Sequence, residues 1–256
     1  MSLVVEELTI DIEDRRVVDG VSFEVADGAR LGLIGESGSG KSLTALAVLG
    51  LLPDGAVTGG SIRWKGRELL GLPEKQLAHV RGDEIGIVFQ EPRTALNPIR
   101  SVGRQIAESV RIHQRATKAE AWQRAIAEAE RVALPNPAAI VKRFPHQLSG
   151  GQRQRVAMAI ALACDPHLLI ADEPTTALDV TIQAEILELL RELVIITHDL
   201  AVLSQIATHG VVLAHGKVVE AGPVAQLLSD PQNAVTQGLL RDATATLWRP
   251  EGGARA

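Results

Sequence analysis

The feature that most constrains this sequence is the run Gly-Glu-Ser-Gly-Ser-Gly-Lys-Ser at residues 35–42, which satisfies G-x-x-x-x-G-K-[ST] at every position. Residues 31–34 are apolar and predict a buried strand before it, and residues 42–52 predict a helix after it, closed by Pro53. A glycine turn before an ordinary helix would need neither the lysine nor the serine. The sequence therefore predicts a phosphate-binding loop between a strand and a helix.

The side chains of this loop are of the types that bind a phosphate group and its metal ion. Lys41 is expected to neutralise the outer phosphate oxygens, and Ser42 to ligate magnesium, while the helix start adds positive potential. Backbone N–H groups of a glycine-rich curl face the phosphate. The other loop residues assigned to phosphate binding are Gly35, Ser37, Gly38, Ser39 and Gly40.

A pair of carboxylates follows a second predicted buried strand. Residues 168–171 are apolar and end in Asp172 and Glu173. In a parallel sheet these acids emerge at the carboxyl edge, where ligands bind and where the phosphate loop also emerges. We expect Asp172 to hold the magnesium shell and Glu173 to orient or deprotonate an attacking water. Two solvated acids after a strand are common, but beside residues 35–42 that explanation is improbable.

A second phosphate contact is predicted where another helix starts. The residues assigned to it are Leu148, Ser149, Gly150, Gly151 and Gln152. Ser149 caps the helix, and the free N–H groups of a helix start bind anions. The serine alone would be explained by an ordinary helix cap.

Alternation of apolar and polar residues in the first 25 positions predicts antiparallel strands. Later strands and helices alternate, which indicates a mainly parallel sheet. Residues 101–133 read as one long helical stretch, and residues 180–193 as another helix before a short strand at Ile195 and Ile196. The predicted fold is α/β, a phosphate-loop NTPase core with an N-terminal antiparallel β subdomain and an inserted helical subdomain. We place the core at 1–90 and 160–230, the helical subdomain at 91–159 and a C-terminal extension at 231–256.

Composition excludes some classes of function. The net charge of −5 and the absence of tyrosine argue against a nucleic-acid partner. The only cysteine, Cys164, lies in an apolar run and is expected to be a buried core thiol. The N-terminus lacks the pattern of a secretory signal, and no apolar run approaches the roughly 20 residues of a membrane-spanning helix. We therefore expect any membrane association to come through a partner.

The ordered set of motifs resembles an ATP-binding cassette protein along nearly the whole chain. The set comprises residues 35–42, Gln90, residues 148–152, residues 168–173, residues 177–179 and His198. Residues 148–152 match the signature that is specific to this family among phosphate-loop proteins. Alone, a glutamine or a histidine is usually structural, and only its place in the set suggests more.

The resemblance implies ATP and Mg2+ as cofactors and a pair of cassettes stacked head to tail, in which one signature grips the γ-phosphate held by the other. It implies that Gln90 approaches the metal and the water, that Asp179 forms the dimer seam, and that His198 contacts the γ-phosphate. It also implies partners: a second cassette, identical or not, transmembrane permease subunits and, indirectly, a solute-binding protein. The location implied is peripheral, at the cytoplasmic face of the cell membrane.

Two stretches, residues 89–98 and 231–240, resemble importers of peptides or nickel. In the second, Asn233, Ala234 and Val235 stand where those importers have His-Pro-Tyr, a change similar to short nickel-type cassettes. The resemblance implies an ATPase that energises such an importer. Two alternatives stay open: an ATPase of a complex without membrane subunits, and an adaptor that retains ATP but barely hydrolyses it.

The sequence departs from the family pattern in two places. Many cassettes stack adenine on an aromatic side chain near the N-terminus, where this chain has Ile12 and Val18, so we expect modest affinity and loose base selectivity. Around Leu193 and Ile195 the predicted helix runs into the strand without a turn, although such connections take roughly 2 to 6 residues. The family has a longer approach to the histidine, which suggests that a short segment is either deleted or absent only from the given sequence. If it is deleted, we expect His198 to be misplaced and hydrolysis to be impaired.

Overall fold

The computed structural model describes residues 2–89, 96–173, 192–198 and 200–247. The strands are β1 (Leu3–Ile12), β2 (Arg15–Val25), β3 (Arg30–Ile34), β4 (Val57–Trp64), β5 (Arg67–Glu68), β6 (Ile85–Val88), β7 (Leu168–Asp172), β8 (Glu192–Thr197), β9 (His209–Ala214) and β10 (Lys217–Pro223). The helices are α1 (Lys41–Val48), α2 (Glu74–His79), α3 (Val102–His113), α4 (Lys118–Arg131), α5 (Pro137–Ile140), α6 (Gly150–Leu162), α7 (Leu200–Ile206), α8 (Val224–Ser229) and α9 (Ala234–Leu247).

Two sheets organise the described residues. Six strands form one sheet in the order β10-β9-β3-β8-β7-β6, in which only the β10–β9 pair is antiparallel. Its inner strands are apolar at nearly every position because both faces are covered. The other sheet is antiparallel, in the order β2-β1-β4-β5. The predicted α/β class, with a mainly parallel core sheet and an N-terminal antiparallel sheet, is confirmed.

The helical insertion differs from its prediction. Instead of one helix over residues 101–133, the chain forms α3 and α4, separated by a turn in which Arg115 has φ +53°. Thr117 then starts α4 through a capping box, accepting from the Glu120 N–H while the Glu120 carboxylate accepts from the Thr117 N–H. Helical periodicity continues across the turn, so the pattern of apolar residues alone does not reveal it.

Two further boundaries were wrong. The helix after the phosphate loop ends at Val48 and not at residue 52, because Gly50 takes a left-handed conformation with φ +61°. Leu193, predicted at the end of a helix, lies in β8 and pairs with both Arg30 and Leu169. Residues 180–191 of that predicted helix lie outside the described residues, as do Gln90 and Asp179.

The buried apolar residues form two clusters on opposite faces of the six-stranded sheet. One joins the sheet to α3, α4, α6 and α7, and the other fills the space between this sheet and the antiparallel one. A shared ion cluster also ties α4 to the loop after α6, because Arg124 and Arg131 both bridge Glu128 and Asp165. In the part of the chain that the structure describes, every helix is too short or too polar to cross a bilayer.

Candidate active site

The phosphate loop lies between β3 and α1, and its backbone can be made only with glycine at its ends. Gly35 has φ +151°, and a Cβ there would lie 2.1 Å from the Leu213 carbonyl oxygen of the neighbouring strand β9. Gly40 has φ +101°, and a Cβ there would lie 3.1 Å from a Val18 methyl group. The loop is therefore held closely between β9 and β2, which fixes where a bound phosphate would lie.

Lys41 places a positive charge inside this loop. Its ammonium donates to the carbonyl oxygens of Gly35 and Glu36, both at 2.7 Å, and to Ser39 Oγ at 3.3 Å. The residue is 6% exposed, and this burial lowers the pKa of Lys41, while Glu173, Asp172 and Glu36 act in the opposite direction. The position suits neutralisation of phosphate oxygens.

Ser42 and Asp172 come together from the start of α1 and the end of β7. Burial raises the pKa of Asp172, Glu173 adds to the rise, and the Ser42 hydroxyl hydrogen bond and Lys41 oppose it. A hydroxyl and a carboxylate oxygen in contact are hard ligands that can share one Mg2+, with water and phosphate oxygens completing its shell. The described residues contain no group of three or more His, Cys, Asp or Glu side chains suited to a metal. The Ser42–Asp172 pair is therefore chemically suited to a magnesium ion.

Glu173 and His198 meet at the carboxyl ends of two neighbouring strands. His198 Nδ1 lies 2.9 Å from Glu173 Oε1. The Glu173 N–H donates to the Ile196 carbonyl at 2.8 Å, and Glu173 has φ +47°, a conformation that costs a residue with a side chain roughly 1–2 kcal/mol. Strained backbone of this kind is concentrated at functional sites. The glutamate side chain is 19% exposed and the histidine 63%, so both can be reached by a ligand at this edge.

The strand order explains why these residues meet. β3 carries the phosphate loop, β8 leads to His198, and β7 ends in Asp172 and Glu173, and these three strands lie side by side and parallel. Their carboxyl ends therefore open at one edge of the sheet. Register is continuous from Glu192 to Thr197, so the strand before His198 is regular.

The predicted second phosphate contact lies on a different element, at the start of α6. Ser149 Oγ accepts from the Gln152 N–H at 3.2 Å, and Gln152 Oε1 accepts from the Ser149 N–H at 3.1 Å, which forms a capping box. Leu148 is buried and anchors this start. A Cβ built on Gly150 would meet no atom within 4 Å. Nothing in the described fold therefore requires glycine at position 150.

A contact with the loop that sequence reasoning missed comes from the β9–β10 turn. The Gly216 N–H donates to the Ser39 carbonyl at 3.2 Å, and the Gly216 carbonyl accepts from the Asp19 N–H at 2.8 Å. His215 and Gly216 lie between two short runs rich in valine, and a glycine between such runs is a signal for a hairpin turn. Their contact with a loop 177 residues earlier depends on the sheet order, which the local pattern does not contain.

Comparison with known proteins bears on this geometry. Residues 18–176 match the ABC transporter family. The chain belongs to the ABC transporter family. This ABC cassette is similar to the probable peptide ABC transporter ATP-binding protein y4tR of Sinorhizobium fredii, with 46% identity over 235 residues that cover 88% of this chain and 70% of that protein. It is also similar to the oligopeptide transport ATP-binding protein OppD of Bacillus subtilis, with 45% identity and coverage of 93% and 70%.

Solved structures agree with the fold of this cassette. One is the dimeric post-hydrolysis state of the ATP-binding cassette MJ0796 bound to ADP and Pi, with a TM-score of 0.76 and 26% identity. It covers 87% of this chain and 98% of the MJ0796 chain. The present ABC cassette therefore binds and hydrolyses ATP as a member of this family.

Proposed function

We propose that this cassette energises import of peptides through a membrane permease. The observation that carries the proposal is the meeting of Lys41, the Ser42–Asp172 pair and the Glu173–His198 pair at one sheet edge. Similarity to peptide transport ATP-binding proteins of Sinorhizobium fredii and Bacillus subtilis supports peptides as the cargo. Nickel or another metal complex is the alternative cargo that residues 231–240 suggest, and transport assays with each cargo separate the two.

In the proposed reaction Ser42 and Asp172 would hold Mg2+, which would neutralise charge on the phosphates. The phosphate loop and Lys41 bind the β- and γ-phosphates. The Glu173 carboxylate accepts a hydrogen bond from the attacking water and orients it in line with the bond to be broken. His198 holds Glu173 and reaches the γ-phosphate from the exposed side. Gln90 would add a contact to the metal and the water.

We propose that two cassettes face each other during the reaction, with Asp179 at their seam. The start of α6 then supplies the second grip on the γ-phosphate through the N–H groups of residues 149–152. The open space at Gly150 supports close approach of a neighbouring chain. The MJ0796 cassette is described as dimeric, which supports the same arrangement here.

The remaining partners follow from the proposed transport role. We propose permease subunits in the membrane, a solute-binding protein that delivers the cargo, and a peripheral location at the cytoplasmic face. The domain boundaries at residues 90, 159 and 230 belong to the same proposal.

A groove on the helical insertion is proposed as the permease contact. It encloses 520 Å³ and is lined by Arg100, Arg104, Ala107, Glu108, Arg111, Lys118 and Trp122. A neighbouring cavity of 290 Å³ shares Arg104 and Trp122 and adds Lys142 and Phe144. Five cations and one carboxylate make this surface basic on a chain whose net charge is −5. An acidic segment of a permease would complement it.

The experiment that tests the reaction is Mg2+-dependent ATP hydrolysis by the purified chain and by Glu173→Gln, with dimerisation in ATP followed by light scattering. We expect the parent to turn over, and the variant to lose at least roughly 100-fold in rate while dimerising in ATP. Glu130→Gln, an exposed change on α4, is the control and should match the parent.

Two outcomes would contradict the proposed roles. Hydrolysis by Glu173→Gln at the parental rate would remove Glu173 from the reaction. A silent, monomeric parent that stays silent after the permease and a second cassette are added would contradict the transport ATPase itself.

A further inference from the structure

The C-terminal part of the described chain returns to the phosphate loop. After β10 and α8, helix α9 begins at Ala234, and Val235 in its first turn faces the outer side of the loop. A cavity of 110 Å³ lies between them, lined by Glu36, Ser37, Gly38, Ser39, Ala214, His215 and Val235. The outer side of the loop therefore borders a surface cleft that it shares with Val235 and with the exposed His215.

Glu220 on β10 fixes the start of α9 in this position. Its carboxylate accepts from the backbone N–H groups of Gln232 at 2.8 Å and Asn233 at 3.0 Å, and from the hydroxyl of the fully buried Thr236. Although burial acts to raise it, these hydrogen bonds lower the pKa of Glu220. Asn233 Oδ1 in turn accepts from the Val235 N–H at 2.9 Å. Val235 is thus attached to a strand of the core sheet.

The same strand pair also holds the loop directly. The β9–β10 turn donates from the Gly216 N–H to the Ser39 carbonyl, and Ala214 and His215 of this hairpin line the cavity. The inner side of the loop is braced by Lys41, which bonds to the carbonyls of Gly35 and Glu36. The outer side depends on the hairpin and on Val235. Among the described residues that line the cavity, Val235 is the only one from helix α9. A change in the size of its side chain therefore changes how this helix contacts the loop.

We infer that Val235 is a positioning residue for the phosphate loop, and that the size of its side chain sets how tightly the cassette binds MgATP. The valine side chain leaves part of this cleft unfilled, and a larger side chain at position 235 would add dispersion contacts with the loop. This inference concerns nucleotide binding alone and does not depend on the transported cargo.

The test measures the Kd of the full chain for MgATP by calorimetry, with KM and kcat for hydrolysis alongside. Val235→Phe should fill the cavity and tighten binding, and Val235→Ala should weaken it, each by about fourfold, the equivalent of one buried methylene. If the Val235→Phe variant does not fold, Val235→Ile replaces it and should also tighten MgATP binding. Glu220→Gln should weaken binding as Val235→Ala does, and kcat should change less than KM in every variant.

A matched control fills a remote cavity. Ala221→Val adds bulk to a cavity of 400 Å³ that also contains Arg30 and His209, at the amino end of β3 away from the phosphate loop. It should leave the Kd unchanged. The inference is overturned if enlarging and reducing the side chain at 235 change the Kd in the same direction, if neither changes it, or if Ala221→Val changes it equally. A purely structural role would lower thermal stability in the Val235 variants without these opposite shifts in Kd.

Discussion

The contact between Glu173 and His198 depends on the backbone conformation of Glu173, which the sequence does not reveal. Glu173 follows β7 with φ +47°, and its N–H is bonded to the Ile196 carbonyl of the next strand. This turn brings its carboxylate to 2.9 Å from His198 Nδ1. A true deletion before β8 would be expected to misplace His198, whereas the structure places this histidine beside the glutamate. The stretch before Glu192 lies outside the described residues, so the suspected deletion itself stays a prediction.

Cys164 illustrates at the residue scale how burial controls reactivity. The side chain is 5% exposed, and burial raises the pKa of Cys164 to about 11, with Asp83 adding to the rise. The thiolate is the reactive form, so alkylation by iodoacetamide should be slow at pH 7.5 and faster as the pH approaches 11. Because the chain has one cysteine, intact mass reports the reaction directly. Labelling of the native chain as fast as the urea-unfolded chain would contradict the expected protection.

Nucleotide base selectivity is also decided by single residues. Ile12 at the end of β1 is partly buried and Val18 is fully buried, and neither offers a ring to stack on adenine. We expect similar Kd values for ATP and GTP. Ile12→Tyr should tighten ATP binding by about 1 kcal/mol, or about fivefold, through ring stacking. Ile12→Leu is the control, and strong discrimination against GTP by the parent chain would refute the expectation.

At the scale of elements, a substitution at Gly150 can distinguish an effect on folding from an effect on the pairing of two cassettes. This glycine lies at the first position of α6, where alanine is the better helix former and where an added Cβ meets nothing. Gly150→Ala should therefore keep the melting temperature, yet lower ATP turnover by about tenfold or more, because a close approach of a facing cassette would be blocked. Gly238→Ala in α9, also without a neighbour at its Cβ position, should leave turnover unchanged and keep or raise the melting temperature. Equal turnover by both variants would argue against contact at the start of α6.

Some elements of the fold could be predicted from the sequence and others could not. The phosphate loop, β7 with its two acids and the start of α6 could be predicted because each is a local pattern with a defined chemistry. The break between α3 and α4 was missed because apolar periodicity continues across it, although Thr117 and Glu120 carry the T-x-x-E signature of a capping box. The contact of Gly216 with Ser39 depends on sheet order, and a single sequence without its relatives does not supply that order.

At the scale of the whole molecule, charge is unevenly distributed. The chain is acidic overall, yet the groove on the helical insertion gathers Arg100, Arg104, Arg111 and Lys118 around Trp122, with Glu108 paired to Arg100. The cations of this groove are complementary to an acidic segment, although the chain as a whole is acidic. Such binding weakens as salt is added, since the Debye length falls from about 10 Å at 0.1 M to about 3 Å at 1 M.

The prediction at this scale is that reversing charge in the groove uncouples the cassette from its permease. Arg104→Glu with Arg111→Glu should abolish co-purification with the permease subunits in low salt, while ATP hydrolysis by the isolated chain stays at the parental rate. The control reverses the same number of charges at Lys65 and Lys75, which are exposed outside the groove. If the groove variant still binds the permease with the parental salt dependence, the contact lies elsewhere on the cassette. Loss of binding in both variants would attribute the effect to net charge and not to the groove.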